Sequence, residues 1–179
     1  MKNLIIIIVA LIFVIGCNNS TTTKETPVTA TDTTEKLDYA YLPSNHQPDN
    51  WDRGDQKNVV MVLKSLKGFE TKNIEQALAP FADTVRWTFD GMDDRISKDS
   101  LRAMFIDDWK TMKDIKIVMD DYEAVISKDK KTQYVTLWYK QIITDNKDKV
   151  DSVACVDDLR IENGKITELD EKTRKYPKD

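Results

Sequence analysis

An α+β domain, with helices on one face of a curved antiparallel sheet, is the fold class this sequence predicts. Three observations lead there. Two apolar stripes at helical spacing lie between residues 59 and 81, and a third runs from Leu101 to Met112. From residue 115 onward the pattern changes to long strand-like runs rich in Val, Ile and Tyr. Turn signals and not helices separate those runs, so the strands are read as antiparallel neighbours.

The elements follow in order. Val59, Val62, Leu63 and Leu66 form the first stripe, and Gly68 is placed to end that helix. In "TKNIEQALAPF" the positions Ile74, Ala77, Leu78 and Phe81 share one face, with Thr71 as N-cap. "DTVRWTF" alternates strictly, with Val85, Trp87 and Phe89 inward and Thr84, Arg86 and Thr88 outward. "SKDSLRAMFIDDWKTM" begins at a capping Ser97 and has Asp99 in its first turn. Leu101, Met104, Phe105, Trp109 and Met112 make its stripe. Four strands follow: "IKIVMDDYEAVI", "QYVTLWYKQIIT", "VDSVACVDDLRI" and "KITELDEKTRKY". The last two are joined by the Asn-Gly turn of "ENGKI". The second of the four is apolar on both faces, Tyr134, Trp138 and Ile142 against Val135, Leu137 and Tyr139. Such a strand predicts a covered outer sheet face.

Before residue 51 the chain is of another kind. Lys2 precedes residues 4–15, which are apolar without exception. That stretch is short of the about 20 residues needed to span ~30 Å of hydrocarbon, so it reads as a secretory signal. The ending "VIGC" resembles the lipobox of bacterial lipoproteins. The resemblance implies a signal peptide over residues 1–16, cleaved so that Cys17 becomes the first residue and carries acyl chains. Asn18, standing where an Asp would favour the inner membrane, makes the outer membrane the expected site in a Gram-negative envelope. The domain would face the periplasm or the surface, touching membrane only through its anchor. Residues 17–50 comprise the lipidated cysteine and a Thr-rich tether without apolar period, in which His46 is a linker residue. Its "YAYL" patch either docks on the domain or floats with the linker. Residues 51–179 are the folded domain.

Composition excludes several function classes. The net charge is −4, and acidic and basic residues are interspersed, whereas a nucleic-acid surface needs clustered Lys and Arg. Two cysteines and one histidine leave no Cys/His metal spacing and no nucleophile–histidine arrangement. No cofactor is expected. With Cys17 lipidated, Cys155 is the one thiol, read as buried and inert.

The segment "ALAPFADTVRWTFDG", the helix after it and the hairpin "LRIENGKITELDE" together resemble the SnoaL-like branch of the NTF2-like superfamily, over residues 51–176. That resemblance implies a cone: a sheet curled around about three helices, with a pocket at its wide end and Trp87 and Phe89 in the wall. It also implies that a second copy covers the outer sheet face, making a homodimer. The superfamily includes ketosteroid isomerase, polyketide cyclases, limonene epoxide hydrolase, dehydratases and members without chemistry, so fold alone implies no reaction. Its enzymes place a carboxylate in the apolar cone, where desolvation raises the pKa.

Acidic residues that interrupt inward apolar faces are therefore the candidates. Asp157 interrupts the face Val153, Cys155, Leu159, Ile161, and is either an in-pocket carboxylate or a rim acid paired with a base. Glu168 and Asp170 share a face with Ile166, unless a bulge reverses the parity in favour of Leu169. Asp108 lies on the flank of its helix stripe. Asp90 matches the isomerase base when one gap is allowed, and Trp87 takes that place when none is. Before Gly91, Asp90 reads equally as a turn residue. Trp87, Phe89, Trp109, Tyr122, Trp138 and Tyr139 make up the aromatic wall. Neither the isomerase's Tyr with a protonated Asp nor the epoxide hydrolase's Asp-Arg-Asp has a recognisable counterpart. The expected function is binding of a small apolar or amphipathic ligand, or a peptide. The alternative is an acid/base isomerase, dehydratase or cyclase using Asp157 or Asp90. A third reading is a structural role with the cone packed solid.

Overall fold

The computed structural model describes residues 38–44 and 49–176. Cys17, His46 and the signal segment lie outside them. The chain divides into residues 1–40 and residues 41–179, and the fold is that of the second unit. Tyr41 and Leu42 at its start are exposed.

The elements are β1 (Trp51–Arg53), α1 (Gln56–Glu70), α2 (Ile74–Leu78), β2 (Phe81–Phe89), β3 (Met92–Ser97), α3 (Lys98–Thr111), β4 (Met112–Ser127), β5 (Gln133–Asp145), β6 (Val150–Glu162) and β7 (Lys165–Lys175). They build an α+β cone with three helices against one curved sheet, ordered β1-β4-β5-β6-β7-β2-β3. The sheet is mixed and not purely antiparallel, because β2 runs parallel to β7. Buried Val62, Leu78, Val85, Leu101, Leu137 and Ile166 knit helices and sheet into one core.

Several local readings change. Gly68 does not end α1, which continues to Glu70. A Cβ on Gly68 would lie 2.4 Å from the Ala77 backbone nitrogen, so the glycine serves the close approach of α1 and α2. Ser65 secures the same junction by donating to the Ala77 carbonyl at 2.5 Å. Thr71 closes α1, and the N-cap of α2 is Asn73, whose side chain accepts from Gln76 N–H. Ser97 caps α3 as predicted, accepting from Ser100 N–H at 3.0 Å.

Two strands were not expected. β1 has three exposed residues, and β3 shows only Met92 and Ile96 as apolar positions. Asp90 and Gly91 join β2 to β3 with φ of 41° and 86°, both positive, as a type I′ hairpin requires.

β7 carries a bulge. Arg160 pairs with Glu168 but Ile161 with Ile166, so Thr167 is one residue too many on that strand. The inward face therefore passes from Ile166 to Leu169 and not to Glu168.

Candidate functional site

The helices do not fill the cone. A cavity of about 690 Å³ remains, within the range of small-molecule sites, so the solidly packed cone is not what folds. α1 lends Val62, Ser65, Leu66 and Phe69 to its wall, and α3 lends Met104, Phe105 and Asp108. β2 lends Phe81, Trp87 and Phe89, which answers the alternation read in "DTVRWTF". β5 supplies Leu137 and Tyr139, β6 Asp157 and Leu159, and β7 Leu169, Glu171, Thr173 and Lys175. The lining runs from buried Phe81, Leu137 and Leu159 to exposed Asp90, Thr173 and Lys175.

Trp87 stacks edge-on against Phe105 and tilts towards Phe89, with ring centroids 6.4 and 6.3 Å apart. Its indole N–H is buried without a hydrogen-bond partner. An unpaired buried donor is uncommon in a native wall.

Asp157 is the polar centre. It is 7% exposed, and its Oδ2 accepts the Tyr139 hydroxyl hydrogen at 2.9 Å. Oδ1 is buried with no partner. Sheet register sets this geometry. Tyr139 pairs with Cys155, so Asp157 is its diagonal neighbour on the same face, and Asp157 stands directly opposite Glu171. Burial pushes the Asp157 carboxyl up to about 8, with Glu171 adding to the rise and the Tyr139 hydrogen bond opposing it. Glu171 is pushed up to about 7 by its own desolvation and then by Asp108. Asp108 is raised by desolvation and by Asp107. Tyr139 is held well above its usual range by burial first and by Asp157 second. Thus a tyrosine paired with a carboxyl that keeps its proton near neutrality is present; the sequence offered Tyr139 and Asp157 separately, and the sheet register pairs them. Buried Cys155 is pushed up to about 12, so its thiol stays unionised, as expected of an inert cysteine.

Other candidates lie elsewhere. Glu168 and Asp170 are outside the cavity, because the bulge turns them to the opposite sheet face. There Arg86 Nη1 donates to Glu168 at 3.1 Å and Lys172 Nζ to Asp170 at 2.8 Å. Trp109 is not a lining residue and packs behind the wall on Phe69 and Phe105. Tyr122 is 46% exposed and outside the lining. Trp138 also lies outside it, pairing with Val156 on the face away from Leu137 and Tyr139. Asp90 reaches the cavity only as the exposed turn at its mouth. Glu171 is the residue sequence reasoning missed. The apolar Leu169 was its one signal, two positions before it on the same face.

Comparison with known proteins gives a consistent picture. Residues 62–169 match the profile of the SnoaL-like domain. No curated protein matches the chain significantly. An NTF2-like protein of unknown function from Burkholderia pseudomallei superposes with a TM-score of 0.55 at 17% identity, covering 65% of this chain and 90% of that one. AusH from Aspergillus nidulans gives 0.55 at 15%, covering 72% and 90%. An LEH-like epoxide hydrolase of M. tuberculosis gives 0.55 at 11%, covering 66% and 84%. Similarity at these identities is similarity of fold.

Proposed function

Starting from a chain that belongs to the SnoaL-like domain family, we propose that its cone is a receptor for a small apolar or amphipathic molecule, held at Asp157. The supporting observation is the buried, unpaired Asp157 Oδ1 in the wall of a cavity lined mainly by apolar side chains. A buried polar atom without a partner is unfavourable by about 1–3 kcal/mol, and a ligand group meeting it would remove that penalty. Native mass spectrometry of the full chain, expressed in its own host and released in detergent, tests this. A reproducible extra mass that falls away in Asp157→Ala is expected. An empty protein across growth conditions would count against it.

The second reading is an acid/base enzyme of isomerase, dehydratase or cyclase type. It is favoured by a carboxyl that titrates near neutrality beside the Tyr139 hydroxyl, since a proton-transfer group works best when its pKa lies near the operating pH. Carbon-detected NMR titration decides whether it stands. An Asp157 that titrates near the ordinary ~3.9 sinks it.

Two further readings complete the proposal. The receptor sits in the cell envelope through acyl chains on Cys17, and globomycin treatment or Cys17→Ser should shift it to the soluble fraction. A second copy covers the outer sheet face, where half-buried Tyr134, Trp138, Ile142 and Val156 lie together. Sedimentation of Trp138→Glu against wild type reports on that, and an unchanged mass would refute it.

A further inference from the structure

We infer that the molecule this cavity takes is an organic cation, an amphipathic amine whose apolar body lies against the aromatic wall and whose charge meets Asp157, Glu171 and Asp108. The inference rests on the cavity being a ligand site and names the ligand's chemistry.

Charge balance is the first ground. Asp90, Asp108, Asp157 and Glu171 line the cavity, and among the described residues its one basic lining residue is Lys175, exposed at the mouth. The acids stand in a row contributed by three elements: Asp157 on β6 faces Glu171 on β7, and Glu171 feels Asp108 on α3. Bases on the neighbouring strands are committed elsewhere. Lys172 bonds Asp158 and Asp170 at 2.9 and 2.8 Å, and Arg86 bonds Asp93 and Glu168. Ionised together, Asp157 and Glu171 would repel across adjacent strands, and the Tyr139 hydrogen bond and the charge of Lys172 offset only part of this.

The second ground is independent of the first. Asp157 Oδ1 is buried without a partner, an acceptor position already desolvated. Trp87, Phe89 and Phe105 add electron-rich ring faces, which attract an ammonium and an apolar body alike. Among the described residues no three acidic, His or Cys side chains are grouped so as to hold a metal ion.

Proton linkage follows from what surrounds Asp157. Tyr139 from β5, Cys155 and Asp158 from β6, and Glu171 and Lys172 from β7 interact with it, and Asp108 from α3 acts on Glu171. α1 offers only the hydroxyl of Ser65, the β2–β3 turn offers Asp90, and Lys175 stands at the mouth. Apart from Lys172, turned to the outer face, and Lys175, no cation is among them, so Asp157 and Glu171 keep protons that an incoming ammonium expels.

The test is calorimetry of the full chain with matched aryl-ethylamines and aryl-ethanols, from a phenyl to an anthracenyl body, in buffers of different protonation enthalpy. The amine should bind at least about tenfold more tightly than its alcohol near pH 8.5, where both acids are already largely ionised, release protons on binding near pH 7, and lose that preference near pH 6. Glu171→Gln and Asp157→Asn should remove the preference and keep the alcohol. Lys175→Gln, an exposed change, should strengthen amine binding alone. Equal affinity for both members overturns the cation inference and leaves the receptor reading standing. Alcohol preferred over amine does the same, and identifies the acids as neutral donors. Failure of every pair at every size overturns both.

Discussion

Tyr139 and Asp157 are bound to each other across β5 and β6, hydroxyl to Oδ2 at 2.9 Å, in a wall built mainly of apolar side chains. The hydrogen bond favours the carboxylate, yet desolvation and the opposed Glu171 outweigh it, and the acid keeps its proton to about 8. Three groups with conflicting preferences therefore share one small volume, and their balance is measurable.

The folded protein should lose stability as pH rises. In the unfolded chain Asp157 and Glu171 release their protons near ~3.9 and ~4.3. In the folded chain they hold them to about 8 and about 7. Between those limits the folded form binds more protons, so its stability falls with increasing pH. Asp157→Asn should flatten this decline and exceed wild type near pH 9 by at least about 1 kcal/mol in urea unfolding. A wild-type curve level from about pH 5 to pH 9 would contradict the burial of the pair.

Gly68→Ala should destabilise the domain by about 1–3 kcal/mol, as overpacking does. The added Cβ meets backbone and not a flexible side chain, 2.4 Å from the Ala77 nitrogen. α1 and α2 would have to separate, loosening the Ser65 bond to the Ala77 carbonyl. A urea midpoint within error of wild type would show that the helices part freely.

Asp90→Asn separates turn from chemistry. Asn-Gly suits the type I′ turn as well as Asp-Gly, so stability should move by less than about 0.5 kcal/mol. Affinity for an uncharged ligand should hold as well. If a turnover is found for this protein and this variant abolishes it, Asp90 is a base and not only a turn.

Ser97→Ala removes the side chain that accepts from Ser100 N–H, an interaction worth about 1 kcal/mol at a helix N-terminus. α3 carries Met104, Phe105 and Asp108 into the cavity, so amide exchange in its first turn should rise. Unaltered exchange there would mean the cap is dispensable.

What could be read in advance followed burial contrast. β6 carries the face Val153, Cys155, Leu159, Ile161, and Asp157 stood out because it broke that face. β3 was hidden because an exposed edge strand has little to bury, only Met92 and Ile96. β7 misled for a different reason. "ELDEKTRK" is charged on both faces, so only pairing register shows which acids enter, and register lies outside the local sequence. Thr71 and Asn73 are both good caps, and the choice between them was made by the tight packing of Gly68 on Ala77.

The extra residue in β7 has an evolutionary reading. Thr167 leaves its own hydroxyl buried and unpaired, which marks it as a position held for spacing. Without it, the strand beyond would invert: Leu169 and Glu171 would turn outward, and Glu168 and Asp170 would inherit the interior. The polarity of this chamber is thus encoded partly as a count. A single-codon deletion or insertion at that point would exchange one set of lining residues for another already present in the gene, so a lineage carrying this fold can change what it accommodates in one step, before any lining residue has mutated.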